Sequence, residues 1–323
     1  METAPRFGWI PDYPDFRDYT ERTPSVREIL APTGLALPRG GVRAAERKRG
    51  KKALPAAVSL RPHCSPVEDQ GGLGSCTAQA GAGVIEYYER RAFGRHIDAS
   101  RLFLYKVTRN LMKMKGDTGA YLRTTMGAMV LFGVPPEEYW PYTDNEDKFD
   151  REPPAFCYSF AQNYKTIQYY RHDPPNGSGA SRSGVLLRLK THLAAGHPSM
   201  FGFTVYSSIE KADERGAIPF PSARDRILGG HAVVAVGYDD ALTIKNPSAG
   251  GPTTKGALLI RNSWAPPGAT AAMAGSPTST SRPAWPRISG ASSRRTGSIP
   301  APSLFDIRPF LIYIFRCVSE VGS

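Results

Sequence analysis

Gln70-Gly-Gly-Leu-Gly-Ser-Cys76-Thr-Ala is the stretch whose reading decides the fold. Its cysteine stands where a glycine-rich turn gives way to a helical pattern. Ala78, Ala82, Ile85 and Tyr88 recur at three- and four-residue spacing, while Glu86, Glu89, Arg90 and Arg91 can face water. A thiol in a first helical turn meets unpaired backbone N–H groups and the positive end of the helix dipole. Both favour the thiolate, which is the nucleophilic form. Taken alone, the segment also fits a small buried cysteine.

Downstream residues supply partners. Gly229-Gly230-His231 opens the apolar run Ala232–Tyr238, which reads as a buried strand with His231 at its mouth. Gly256–Arg261 is a second strand pattern, ending at Asn262-Ser-Trp264. A cysteine nucleophile needs an imidazole to take its proton, and the imidazole needs a third group to orient it. Cys76, His231 and Asn262 offer those three groups in chain order. Singly, such a His is a strand-end residue and such an Asn a turn or cap.

These segments resemble the papain-like (C1-type) cysteine peptidases, of the short-leader kind found in bacteria and archaea. The likeness rests on Ser65–Ala78, Gly230-His231-Ala-Val and Arg261-Asn262-Ser-Trp264. Glu138-Tyr-Trp-Pro-Tyr142 and Met200–Tyr206 match more weakly, and coverage runs from about residue 57 to residue 264. The resemblance implies an α+β fold of two lobes, with a helical N-terminal lobe, an antiparallel β C-terminal lobe and the active-site cleft between them. It implies Cys76 as nucleophile, His231 as general base and then acid, and Asn262 as its orienter. Gln70 would donate to the oxyanion together with the Cys76 N–H, and Trp264 would shield the Asn262–His231 hydrogen bond. Gly74, Ser75, Asp117, Gly119 and Gly230 are the expected substrate contacts; a plain surface turn is the competing reading of residues 117–120. The implied reaction is peptide-bond hydrolysis through a thioester, with a protein or peptide substrate and neither cofactor nor metal. Two other outcomes stay open: an inactive papain-like remnant that only binds peptides, and a thiol acyltransferase. Two positions depart from the family pattern. Leu73 replaces the cysteine three residues before the nucleophile, and Thr77 replaces the tryptophan after it, so the usual adjacent disulfide cannot form.

The organisation follows. Residues 1–56 read as an N-terminal extension that is not core, in which Phe7–Tyr19 suits an irregular segment on a surface groove and resembles a leader lying in or near the cleft. It ends in a basic linker, Arg39–Lys52, where seven basic residues face Glu46. Residues 57–160 are expected to form the helical lobe, with helices at Arg101–Met112 and Leu122–Phe132. Residues 161–264 are expected to form the β-lobe, with a helix at Ser183–Ala195, a loop at Pro174–Gly179, a strand at Phe201–Tyr206 and hairpin turns at Asp239-Asp240 and Asn246–Gly251. After Trp264 the composition shifts to Ser, Pro, Thr, Ala and Arg, which cannot build a core, so residues 265–323 read as a disordered tail and the last β-lobe strand as missing. A frame change accounts for the shift. One G restored after the Trp264 codon, with third bases chosen freely, lets the shifted frame read Gly-Thr-Pro-Trp-Gly-Asp-Gly-Gly-Tyr, the continuation expected of the family. A genuine low-complexity tail is the other reading.

Composition adds limits. The net charge of +12 is spread thinly over 323 residues, and the basic linker carries no interleaved aromatics, which argues against nucleic-acid binding. Four cysteines are too few for a disulfide scaffold, and none lie at metal-ligand spacing. No secretory signal stands out in the first 30 residues, and Phe310–Phe315 is too short to span a bilayer. The expectation is a soluble monomer, cytoplasmic rather than membrane-bound.

Overall fold

The computed structural model describes residues 7–12, 15, 18–33, 35, 54–166, 168–172 and 182–264, together with the backbone of two short strands at 270–274 and 307–309. Its elements in chain order are β1 (Trp9–Ile10), α1 (Pro24–Leu30), β2 (Ala57–Ser59), α2 (Cys76–Phe93), α3 (Arg101–Leu111), β3 (Ala120–Tyr121), α4 (Leu122–Leu131), α5 (Ala155–Ala161), α6 (Arg182–Ala194), β4 (Ser199–Tyr206), β5 (Ala217–Ile218), β6 (Ile227–Lys245), β7 (Thr253–Arg261), β8 (Thr270–Ala274) and β9 (Ile307–Pro309). The loop at Pro174–Gly179 and the basic linker lie outside the described residues.

Helix α2 is the spine. It is buried from Cys76 to Glu89, so Glu86 and Glu89 do not meet water as the periodicity implied, whereas Arg90 is half-buried and Arg91 exposed. Small residues make that burial feasible: Gly81 admits Leu104 and Met129, and a Cβ on Gly83 would stand 2.4 Å from the Arg261 guanidinium. Glu86 is buried because polar groups converge on it. Its carboxylate accepts the Ala99 N–H at 3.1 Å and the Ser65 hydroxyl, and lies 3.7 Å from Arg261 Nη2. Glu89 accepts the Ile97 N–H at 2.7 Å. The helix ends at Gly94, whose left-handed φ of 71° lets its N–H return to the Arg90 carbonyl. Helices α3 and α4 pack on α2 and on each other, and α3 starts at Ser100, whose side chain accepts the Phe103 N–H.

The sheet runs β5-β8-β7-β6-β4-β9, with β2 added on β6. All its pairings are antiparallel except β5 with β8. Ala57–Ser59 pairs with β6, so the first residues assigned to the helical half sit in the sheet instead. Strand β6 is long enough to serve two neighbours. Its first half pairs with β4 and its second with β7, and the register shifts between Ala235 and Gly237 and again between Asp239 and Thr243. The expected hairpin at Asp239-Asp240 is one of these irregularities, not a turn. Asp239 Oδ1 accepts the Ala241 and Leu242 N–H groups, which absorbs the extra residues while the strand continues. Residues 246–251 do form the β6–β7 turn.

Two expectations about the chain ends are corrected. Residues 1–56 contain a helix, α1, whose Val26 and Leu30 build a small core with Leu35 and Tyr170. The β-lobe also keeps a strand after Asn262: β8 pairs with β7 from Arg261↔Thr270 to Ala257↔Ala274. Ladder hydrogen bonds need only an extended backbone with free N–H and C=O groups, so Thr-Ala-Ala-Met-Ala qualifies without any apolar period. A second piece of the tail, β9, pairs with β4.

Candidate active site

Cys76 is the first residue of α2, and His231 lies within β6, in register with Phe203 on β4. Asn262 follows directly after β7. The imidazole donates from Nε2 to Asn262 Oδ1 at 2.7 Å, and the same oxygen accepts the Ser263 N–H at 2.8 Å. The Trp264 indole stacks on the imidazole, with centroids 4.6 Å apart and planes 22° apart, and so covers one ring face. The Cys76 sulfur faces the backbone N–H of Ala232, one residue past His231.

Gln70 is fully buried just ahead of α2. Its Nε2 donates to the Leu73 carbonyl at 2.8 Å, and its Oε1 accepts the Ser263 hydroxyl at 2.5 Å. Tyr142 braces this turn, with its hydroxyl 2.7 Å from the Gln70 carbonyl and 2.7 Å from Ser75 Oγ. Arg101 stacks on the Tyr142 ring at 4.4 Å and forms a two-pronged bond with Glu137 at 2.9 and 2.6 Å. Sequence reasoning missed this brace; only the aromatic-rich stretch at 138–142 hinted at it. Leu73, at the position of the family's cysteine, is buried with Leu102 and Phe149, so an apolar cluster stands where a disulfide would be.

Asp117 ties two turns together. Its Oδ1 accepts the Gly74 N–H at 2.9 Å and the Tyr105 hydroxyl at 2.6 Å, and that hydroxyl accepts the Gly119 N–H. Its carboxylate therefore shapes the rim.

The N-terminal segment lies across this site. The Ala120 N–H donates to the Gly8 carbonyl at 2.8 Å, and β1 pairs in parallel with β3. Gly8 passes between Gly74 and Gly119 so closely that a Cβ on it would lie 1.8 Å from the Gly74 carbonyl oxygen. Trp9 rests on Gly202 and Gly230, where any Cβ would clash with it, and Phe7 sets its edge against both His231 and Trp264. Gly74, Gly119 and Gly230 thus lie directly against residues 8 and 9, Asp117 holds the Gly74 N–H, and Ser75 bonds Tyr142.

Filling the groove changes the electrostatics. Burial pushes the Cys76 thiol up to about 11, against the N–H groups of Ala232, Gly8, Thr77 and Cys76, which favour the thiolate. Burial also pushes His231 down to about 4, against the Asn262 hydrogen bond. In this covered state both groups are neutral near pH 7. The helix start favours thiolate, as its sequence implies, but loss of water outweighs it.

Residues 54–271 match the sequence model described as papain family cysteine protease. Xylellain, a cysteine protease from Xylella fastidiosa, is 32% identical, with 83% of this chain and 89% of that one aligned at a TM-score of 0.61. An uncharacterized peptidase C1-like protein of Acanthamoeba polyphaga mimivirus is 34% identical over 200 residues, which are 61% of this chain; the match spans 59% of the viral protein. Digestive procathepsin L 3 of Tenebrio molitor, at 18% identity and a TM-score of 0.51, shares the fold. The chain belongs to the papain family of cysteine proteases. Among the described residues, no helix is long and apolar enough to cross a membrane.

Proposed function

We propose that this chain hydrolyses peptide bonds with Cys76 as nucleophile and that residues 7–12 are a leader segment holding it covered. The observation that supports this most is the His231–Asn262 bond of 2.7 Å beside a cysteine at a helix start. In the reaction the Cys76 sulfur attacks the scissile carbonyl while the imidazole accepts the thiol proton. The Cys76 N–H and the Gln70 carboxamide bind the oxyanion. His231 then returns the proton to the leaving amine, and water cleaves the thioester. Asn262 holds the ring while Trp264 keeps water off that bond. Gly74, Ser75, Gly119 and Gly230 line the peptide groove, and Asp117 supports it from behind. Residues 57–264 act as the peptidase unit, with the leader as an intramolecular occupant of the groove.

The test is covalent. A thiol-directed peptidyl epoxide is expected to add one equivalent to Cys76, seen by mass spectrometry, and none to Cys76→Ala. A folded chain whose leader has been loosened by Trp9→Ala, yet stays unlabelled and inactive on peptides, would overturn the proposal.

A further inference from the structure

Glu21, His172 and His192 come from three separate stretches: the turn leading into α1, the 168–172 segment and helix α6. All three side chains are buried, and one ligand atom from each lies within 4.8 Å of the other two. His172 Nδ1 is 3.1 Å from Glu21 Oε1, and His192 Nε2 is 3.7 Å from the same oxygen. Ligands held about 2.0–2.1 Å from a tetrahedral ion stand roughly 3.3 Å from one another, a separation these two distances bracket.

The outer nitrogens of both rings already have partners. His192 Nδ1 lies 2.8 Å from the Arg188 carbonyl, which only accepts, so Nδ1 carries the proton and the Nε2 lone pair faces inward. His172 differs: its Nδ1 donates to Glu21 Oε1, so taking an ion there moves that proton to Nε2, which lies 3.5 Å from Ser199 Oγ. His192 has the arrangement of a metal-bound histidine, in which an outer acceptor fixes the tautomer and turns the other nitrogen toward the ion.

We propose that Glu21, His172 and His192 form a binding site for one divalent transition-metal ion of the zinc class. Two imidazole nitrogens and one carboxylate oxygen suit such an ion better than magnesium or calcium, which take oxygen ligands. The Tyr170 hydroxyl, now 2.9 Å from His192 Nε2, turns aside on loading or becomes the fourth donor. Because Glu21 precedes α1 and the histidines belong to the body, the ion would staple the N-terminal segment in place. Only that consequence for the active site rests on the peptidase reading; metal binding does not.

The test uses the full chain carrying Cys76→Ala, which removes a competing thiol, stripped with a chelator and titrated with zinc chloride. Calorimetry and metal content after gel filtration are expected to give one equivalent. The melting midpoint should rise by about 5 °C with zinc at 100-fold above its Kd. Glu21→Gln should weaken binding at least tenfold, and His172→Gln with His192→Gln should abolish it. No saturable equivalent, or one that survives the double substitution, overturns the site and leaves a buried hydrogen-bond network. Should the substitutions unfold the chain, cobalt loading of the Cys76→Ala chain decides. Visible bands of tetrahedral nitrogen and oxygen ligation support the site, and their absence overturns it.

Discussion

Residues 7–10 and residues 18–30 belong to one N-terminal stretch, yet they grip the body by different physics. The front part holds by shape. Gly8 threads between two glycines, Trp9 is buried on two more, and a β-type hydrogen bond to Gly8 fixes the register. The rear part holds by buried charge and a small core. Asp18 bonds Arg123 Nε at 2.6 Å and Arg171 Nη1 at 2.9 Å, with the Arg171 side chain fully enclosed, while Val26 and Leu30 pack on Tyr170. One part covers the sulfur and the other anchors the cover, so they should fail to different substitutions.

The largest effect is expected from Trp9→Ala. Removing a buried aromatic ring costs about 3–5 kcal/mol. If the loss falls on the covered state, the open fraction rises roughly 10²- to 10⁴-fold, read as the rate of Cys76 labelling by an epoxide. Hydrogen exchange should show residues 7–12 exposed and α1 still protected. A labelling rate unchanged by Trp9→Ala would mean that the front part does not govern access to the sulfur.

Asp18→Asn attacks the anchor and should do less. The asparagine keeps one acceptor oxygen, and release lets water reach Arg171, so the loss is near that of a charged hydrogen bond, about 2 kcal/mol or thirtyfold. Here protection should fall at α1 and at residues 7–12 together. Loss at α1 with the front part still protected would show that the two grips are independent.

Much of the site was legible because its chemistry lies in short local patterns. A cysteine after glycines, a histidine before an apolar run and an Asn-Ser-Trp after another each declare their element, although β6 starts at Ile227, ahead of His231. The supports were not legible, because their partners are distant in sequence. Tyr142 braces Gln70 from 72 residues away, and Asp18 meets Arg171 across 153. Burial of Glu86 and Glu89 was misread because helical periodicity assigns polar residues to water unless partners such as Arg261 are known. Strand β8 was missed because composition reports the capacity to build a core, whereas a strand joining a sheet edge needs only its backbone. Trp9 read as part of an irregular surface segment, since nothing local announces that Gly202 and Gly230 leave room for an indole.

The smallest expected effect comes from pH, and it sharpens the difference between covering and anchoring. Covering raises the Cys76 pKa to about 11, so the covered state holds that proton more tightly than the open one. Covering therefore weakens as pH rises above the open thiol's value, near 8.5 or below at a helix start, and continues to weaken until about 11. His231 acts with the opposite sign. Its pKa falls from 6.5 to about 4 when covered, so covering weakens as pH drops through 6.5 toward 4. At pH 5 that amounts to roughly 2 kcal/mol. Asp12, buried and raised to about 6, favours the covered state as pH falls and offsets roughly 1.4 kcal/mol of the loss. A few-fold opening should remain at pH 5, with the tightest covering between about pH 6.5 and 8.5. Alkylation of Cys76 in the intact chain should climb about tenfold per pH unit without levelling below 10, whereas in Trp9→Ala it should level off near or below 8.5. Matching profiles for the two proteins would show that burial by residues 7–10 does not set the thiol's reactivity.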